Sequence, residues 1–336
     1  MKVNRPFLTL YKIFVKRVPI EAQLIVTRRC NLSCGYCSEY DHKSQPIPSK
    51  VLKERIDVLH RLGVINIALL GGEPLLHPEI DDIVHYAGKM AQVSITTNGF
   101  LLSEGLIKKL NRAGLTNMQV SIDALTPTPD LYIQKSYKSL APKLQRLKEL
   151  AAFAFHVKIV ICETNRSDVV PMIAMFNRLQ IPVSVNLVHN DHGCIAIAGK
   201  AYLELWDEAY RSAPALAFAE YEYGRKLLQG EFPDWLCRAG ARFLYIDEFG
   251  RVQFCSQQRG RLNKPITEYT HQDIRRYYKQ RKGCEAGCAV FCVYRASLVD
   301  TPSRTWLLIL RRLLFNKRSG HKTQPVKKFQ KVHVEG

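Results

Sequence analysis

EAQLIVTRRCNLSCGYC, residues 21–37, sets an apolar run directly against three closely spaced cysteines. Its first seven residues carry the apolar and β-branched side chains of a strand and predict one over 21–27. Cys30, Cys34 and Cys37 follow at once as C-x3-C-x2-C, in the loop at that strand's C-terminal end. Thiolates are soft ligands suited to an iron–sulfur cluster or to zinc. Three of them leave a four-ligand metal site one ligand short, and His42 could complete a structural zinc loop.

Outward from that stretch, strands and helices alternate to residue 190. INIALL (65–70), AQVSITT (91–97), NMQVSID (117–123), FHVKIVI (155–161) and PVSVNLV (182–188) read as strands. Helices are predicted near 49–62, 79–89, 103–112, 138–153 and 167–179, with Ser103 and Ser49 as N-terminal signals. This alternation implies a parallel sheet with helices packed outside it. The fold class is therefore α/β, a partial (βα)6 TIM-like barrel with functional loops at the C-terminal strand ends, followed by a small C-terminal iron–sulfur domain. The expected divisions are a basic N-terminal arm (1–20), the barrel (21–199), a helical, aromatic-rich bridge (200–236), a cysteine-bearing domain (237–300) and a basic amphipathic tail (301–336). Within the cysteine-bearing domain, FLYIDEFGRVQFC (243–255) predicts a hairpin turning at Glu248–Gly250.

A composition of 46% hydrophobic and 10% aromatic residues fits a folded chain rather than a disordered one. The net charge of +19 gathers at the two ends and over 261–282, which leaves the barrel near neutral. That pattern argues against a basic nucleic-acid channel, and no RNA-binding motif is present. Apolar runs fall short of the ~18–20 residues that a membrane span needs. Lys12, Lys16 and Arg17 interrupt the N-terminal apolar stretch, which lacks a small-residue cleavage site, so it reads poorly as a signal peptide. Without secretion, ten cysteines at close spacings speak for metal or catalysis rather than disulfides.

The strand ends carry further chemistry: GGEP (71–74) after the second strand, TTNG (96–99) after the third and SID (121–123) at the fourth. With the three cysteines and Tyr36 before the last of them, residues 21–190 resemble the radical S-adenosylmethionine (radical SAM) superfamily. The resemblance implies that Cys30, Cys34 and Cys37 hold a 4Fe-4S cluster with one iron left open for S-adenosylmethionine. Reductive cleavage of that cofactor would give a 5′-deoxyadenosyl radical, which attacks an unactivated C–H or C=C site. Gly71, Gly72 and Glu73 would receive the methionine amino group, with Pro74 stiffening the turn. Ser121 and Asp123 are candidates for the cofactor's polar groups, with loop capping as the alternative, and Thr97 and Asn98 are weaker ones. The fifth strand lacks the glycines that many relatives place near adenine, leaving Glu163 and Asn165 as polar candidates there. His189, at the end of the sixth strand with Asn190 and Asp191, faces the expected cofactor side.

Cys237, Cys255, Cys284, Cys288 and Cys292 form a second cluster, the last three at a spacing of four that would align them on one helix face. Cys237-x12-Gly250-x4-Cys255 resembles the opening of SPASM and twitch auxiliary-cluster domains. Five thiols suffice for a second 4Fe-4S cluster on Cys237, Cys255, Cys292 and either Cys288 or Cys284, with a zinc knuckle as the alternative. Cys162 reads as a buried core residue and Cys194 as structural.

Basic amphipathic segments at both ends, FLTLYKIFVKR (7–17) and TWLLILRRLLF (305–315), suit a peripheral membrane contact and a lipid substrate. The C-terminal cysteine region also loosely resembles that of radical SAM proteins that modify hopanoid lipids. Maturation of a ribosomally made peptide is the alternative, and RNA modification a third and weaker one. Either main reading places the chain in the cytoplasm, peripherally at the inner membrane face for a lipid substrate. The resemblance also implies an electron donor such as flavodoxin or ferredoxin.

Overall fold

The computed structural model describes residues 6–128, 132–211 and 218–301. A short helix, α1 (Pro6–Phe14), leads into β1 (Glu21–Thr27). Five more strand units follow as α2 (Ser49–Arg61), β2 (Asn66–Gly71), α3 (Ile80–Gly88), β3 (Gln92–Thr97), α4 (Glu104–Ala113), β4 (Asn117–Ser121), α5 (Tyr137–Leu150), β5 (Ala154–Ile161), α6 (Val169–Arg178) and β6 (Val183–Leu187). Ser103 caps α4 by accepting the Leu106 N–H at 3.2 Å. Ser49 instead lies inside α2, and its hydroxyl donates to Glu79 at 2.9 Å.

Two helices, α7 (Lys200–Ala209) and α8 (Phe218–Leu228), precede the C-terminal elements. These are β7 (Phe243–Ile246), β8 (Arg251–Gln253), β9 (Lys264–Pro265), α9 (His271–Lys279) and α10 (Phe291–Leu298). One nine-stranded sheet runs in the order β6-β5-β4-β3-β2-β1-β7-β8-β9. β1 to β6 pair in parallel, as the alternation requires, and the expected hairpin forms between β7 and β8. The hairpin is not a separate sheet, because β7 pairs in parallel with the free edge of β1. A parallel sheet left open beside β1 exposes unpaired backbone groups, and β7 satisfies them.

The two faces of the sheet differ in chemistry. Ala22, Leu24, Ile67, Leu69, Val93, Ile95, Met118, Val120, Val157 and Ile159 are buried on the face that packs under the outer helices. At ~1.5–3 kcal/mol for each large apolar side chain, this layer is the main source of stability. The opposite face carries Gln23, Ser94, Thr96, Gln119, Ser121, His156, Lys158, Ser184 and Asn186 by strand alternation. Eight-fold barrels usually fill that space with branched apolar residues. Here the inner face is apolar chiefly near Ile25 and Leu70, which pack with Val290, Val293 and Ala296 around α10, with Val160 an apolar residue among the polar ones on β5. The C-terminal unit thus closes one side of the barrel and leaves a polar interior on the other.

Candidate active site

Cys30 follows the last residue of β1 by three positions, in a loop tied to itself by backbone bonds. The Cys30 N–H donates to the Asp41 carbonyl at 2.9 Å, and the Asp41 N–H to the Arg28 carbonyl at 2.7 Å. Two N–H groups aim at the Cys30 sulfur, the Leu32 backbone at 3.4 Å and the Asn98 amide at 3.8 Å. Burial nonetheless pushes the Cys30 thiol up to about 11, so its thiolate needs a cation beside it. Soft donors with N–H groups turned toward sulfur fit an iron–sulfur cluster, whose sulfurs accept such bonds. A zinc loop fits less well. His42 Nδ1 is engaged by the Cys30 carbonyl at 3.1 Å.

The GGEP turn is built against this loop. Gly71 has φ +141°, and a Cβ there would stand 1.8 Å from the Thr27 carbonyl oxygen. The Gly72 N–H donates to Thr27 and the Glu73 N–H to Arg29, each at 2.9 Å. Glu73 is fully buried and accepts from the Leu75 N–H (3.0 Å), the Thr97 hydroxyl (2.7 Å) and the Asn98 N–H (2.7 Å). Burial pushes its carboxyl up to about 7 despite those three donors. The structure therefore places Gly71, Gly72 and Glu73 as a brace between β1 and the end of β3. Pro74 begins a 3-10 turn, and the Asn98 amide also reaches Asn31 Oδ1 at 2.8 Å.

A second brace joins the loop to β4. The Tyr36 hydroxyl donates to Asp123 Oδ2, and Lys135 Nζ lies 3.0 Å from the same carboxylate. Asp123 Oδ1 accepts the Val160 N–H at 2.8 Å. Burial first, and the Asp123 charge second, raise the Tyr36 phenol well above its usual range. Burial opposes the charge on Lys135, but Asp123 and Tyr36 outweigh it and raise the amine. Sequence reasoning missed Lys135. It enters because the Asp123 N–H donates to the Lys135 carbonyl at 2.9 Å, which brings the segment before α5 back over the strand end.

Tyr36, Cys37, Glu163, His189 and Asp191 line one cleft of about 320 Å³ at this end of the sheet. His189 is thereby brought beside the cysteine loop, as its position at a strand end suggests. Asn165, a candidate for adenine, is 1% exposed and bonds the carbonyls of Asp123 and Val160 at 2.7 Å each. Its side chain ties the end of β4 to β5 as a strut. Ser121 ends β4 half-buried, in register with Lys158.

The second cysteine set departs from the helical expectation. Residues 284–290 are not helical, because Gly283 and Gly287 take φ +73° and +72°, and α10 begins only at Phe291. Cys237, Cys255, Cys284 and Cys288 line a common cavity with Lys282 and Trp235, whereas Cys292 lies outside that lining. Cys292 still lies close enough to act on the Cys255 thiol, and Glu21, Arg295 and Lys158 are the other charges around it. Burial pushes the Cys237 and Cys255 thiols up to about 12 each. Four soft donors around one space, Cys237 and Cys255 buried and Cys284 and Cys288 partly so, fit a four-iron cluster, with the Lys282 ammonium to offset its negative charge. Cys194, read as structural, lies in a loop zipped to this region: the Ile195 N–H donates to Gly287 and the Ala289 N–H to Gly193, each at 2.8 Å. Cys162 is buried at 3% exposure, as expected.

A network of alternating charge links the two regions. Glu39, beyond the cysteine loop, accepts from Arg28 and Arg259 at 3.0 Å each and from the Tyr245 hydroxyl at 2.5 Å. Arg259 also pairs with Glu248 at 2.9 Å.

Residues 24–175 match the family model described as the radical SAM superfamily. GTP 3′,8-cyclase of Aquifex aeolicus is 28% identical over 171 residues, covering 47% of this chain and 53% of that one. Molybdenum cofactor biosynthesis protein 1 of Bos taurus is 31% identical over 172 residues, 48% of this chain and 27% of that one. The chain thus spans about half the length, or less, of these curated relatives. Among solved structures, Streptococcus suis SuiB bound to precursor peptide SuiA aligns with a TM-score of 0.60 at 15% identity, covering 85% of this chain and 73% of that one. Native anSMEcpe with bound AdoMet and a peptide aligns at 0.58 and 14% identity, covering 87% and 99%. These two likenesses establish the fold.

Proposed function

We propose, from the match of residues 24–175 to the radical SAM family model, that the chain is an enzyme that cleaves S-adenosylmethionine reductively at a 4Fe-4S cluster held by Cys30, Cys34 and Cys37. The supporting observation is the doubly braced loop, fixed by Glu73 on one side and by Tyr36 and Asp123 on the other. When bound, the cluster and S-adenosylmethionine supply one-electron cleavage of a carbon–sulfur bond and hydrogen abstraction from substrate. The chain's own residues position and shield. Asn98 and the Leu32 N–H turn toward the Cys30 sulfur that would ligate the cluster, and Tyr36 forms a wall of the cleft where the cofactor would lie. Cys237, Cys255, Cys284 and Cys288 would hold a second 4Fe-4S cluster. Replacing Cys30, Cys34 and Cys37 by Ala should abolish formation of 5′-deoxyadenosine in an anaerobic assay. Undiminished cleavage would overturn the assignment.

The polar inner face supports a substrate with polar groups, a peptide or a small metabolite, over a bare hydrocarbon. Peptide complexes among the solved structures that share the fold agree with this reading. A second reading, a substrate taken from a membrane, rests on α1. Phe7, Leu10, Tyr11 and Phe14 are all exposed there at helical spacing, beside Lys12, Lys16 and Arg17. No helix among the described residues is long and apolar enough to cross a membrane. TWLLILRRLLF falls outside the described residues. Sedimentation with anionic liposomes that is lost in the Phe7→Ser, Phe14→Ser double variant would favour the membrane reading, and absence of binding would remove it.

A further inference from the structure

We propose that Cys194 and Cys288 form a disulfide site, which competes with the second 4Fe-4S cluster for the Cys288 sulfur. The disulfide follows from backbone register, and its consequence rests on the assignment of Cys288 to that cluster.

Cys194 and Cys288 oppose each other in an antiparallel bridge. The Ile195 N–H donates to the Gly287 carbonyl and the Ala289 N–H to the Gly193 carbonyl, each at 2.8 Å. These bonds flank the pair, so the two cysteines occupy non-hydrogen-bonded positions. Such positions bring the Cα atoms to about 4.5 Å and turn both side chains to one face. That separation lies at the near end of the ~4.4–6.8 Å that a disulfide spans. Both sides of the bridge are held in place. Asn190 Oδ1 accepts the His192 and Cys194 N–H groups at 3.0 Å each, and the Asn190 N–H donates to the Cys194 carbonyl at 2.8 Å. Opposite, the Cys288 N–H donates to the Glu285 carbonyl at 3.2 Å, and the Tyr223 hydroxyl to the Cys288 carbonyl at 2.7 Å. Gly193 permits the close approach: at φ +77°, a Cβ there would stand 3.1 Å from both Gln257 Cβ and Val290 Cγ2.

Cys288 lines the second cavity with Cys237, Cys255 and Cys284, and Cys194 stands beside that lining. Both members of the pair are partly exposed, within reach of a small oxidant. Loss of iron would free the Cys288 sulfur, and the opposed thiol is placed to be its resolving partner. With oxidised glutathione as the oxidant, exchange takes two steps. One cysteine sulfur attacks the glutathione S–S bond, forming a mixed disulfide and releasing one glutathione thiol. The second cysteine then displaces the other glutathione. One S–S bond has formed and one has broken, and the two electrons and both cysteine protons end on the released thiols. Fixed backbone positions give the second step a high effective concentration. The disulfide shields Cys288 from irreversible oxidation and withholds it from iron until it is reduced.

The test treats the reconstituted full chain with oxidised glutathione, with and without a chelator that strips its iron. Free thiols are then alkylated and the digested chain is read by mass spectrometry, with circular dichroism confirming the fold before digestion. A linked Cys194–Cys288 peptide should dominate the disulfides of the stripped chain and be at least tenfold scarcer where iron is kept. Reconstituted without a thiol reductant, the oxidised chain should take up only about four irons, and prior reduction should restore about eight. Reduced Cys194→Ser should also reach about eight, and a lower value would make Cys194 a cluster ligand and overturn the site. Cys288 joined to a cavity cysteine, or glutathione left on both cysteines without a link between them, overturns it too. Reduced wild-type chain that stops near four irons strikes the second cluster, while the linked peptide still decides the disulfide.

Discussion

Lys158 shows how one side chain can work against the fold that surrounds it. Burial, with Arg295 adding to it, lowers its amine from 10.5 to about 7. A folded value below the unfolded one means that its contribution to stability is full above about pH 10.5 and is lost as the pH falls through about 7. Lys158→Met removes that loss. The variant should therefore be more stable than wild type by ~1–3 kcal/mol near pH 6, and the gain should shrink as the pH rises toward 10. Denaturant titrations at three pH values check this, and a variant less stable at pH 6 than at pH 9, each relative to wild type, would contradict the sign. Nothing in FHVKIVI marks this lysine as unusual, since a strand with one polar face tolerates a lysine freely. Its meaning comes from the neighbours that β6 and α10 bring to it. Cys30, Cys34 and Cys37 lie at the other extreme, because their spacing carries their chemistry wherever the loop is placed.

Among the elements, the segment before α10 decides how the second cysteine set is used. A spacing of four suggested a helix from Cys284 to Cys292, but left-handed glycines at 283 and 287 turn the chain instead. Cys284 and Cys288 thereby share a cavity with Cys237 and Cys255, and Cys292 is carried into the first turn of α10. Reconstituted wild-type chain should hold close to eight irons, about four for each cluster. Ala at Cys237, Cys255, Cys284 or Cys288 should lower that to near four, whereas Cys292→Ala should leave it unchanged. Iron analysis of the five variants decides the matter, and loss of iron in Cys292→Ala would restore the set expected from spacing. The βα units were far more legible. Each strand was placed within two residues of its observed bounds because apolar periodicity and the outer helical layer obey the same local rule.

At the level of the whole molecule, the cysteine loop and the C-terminal unit are one mechanical body. β7 continues the sheet from β1, and Arg259 and Tyr245 hold Glu39 beyond the loop. Arg259→Ala leaves Glu39 and Glu248 short of a cation and should cost about 1 kcal/mol in global stability. Its larger effect should be local: hydrogen exchange of amides in residues 30–41 should speed up several-fold, while β3 and β4 stay protected. Equal protection of the loop in wild type and variant would show that the network does not hold it. The sequence by itself determined the strand–helix alternation, the parallel barrel and the triad of thiols at the end of β1. Those are properties of neighbours along the chain, written in periodicity and short spacing. Tertiary structure alone decided the rest: which four of five distant cysteines share a cavity, that Glu73 and Asn165 serve as braces, and that Lys135 and Lys158 meet Asp123 and Asn186. Each depends on contacts between residues far apart in sequence, brought together by the register of a curved sheet and by the helix that closes it.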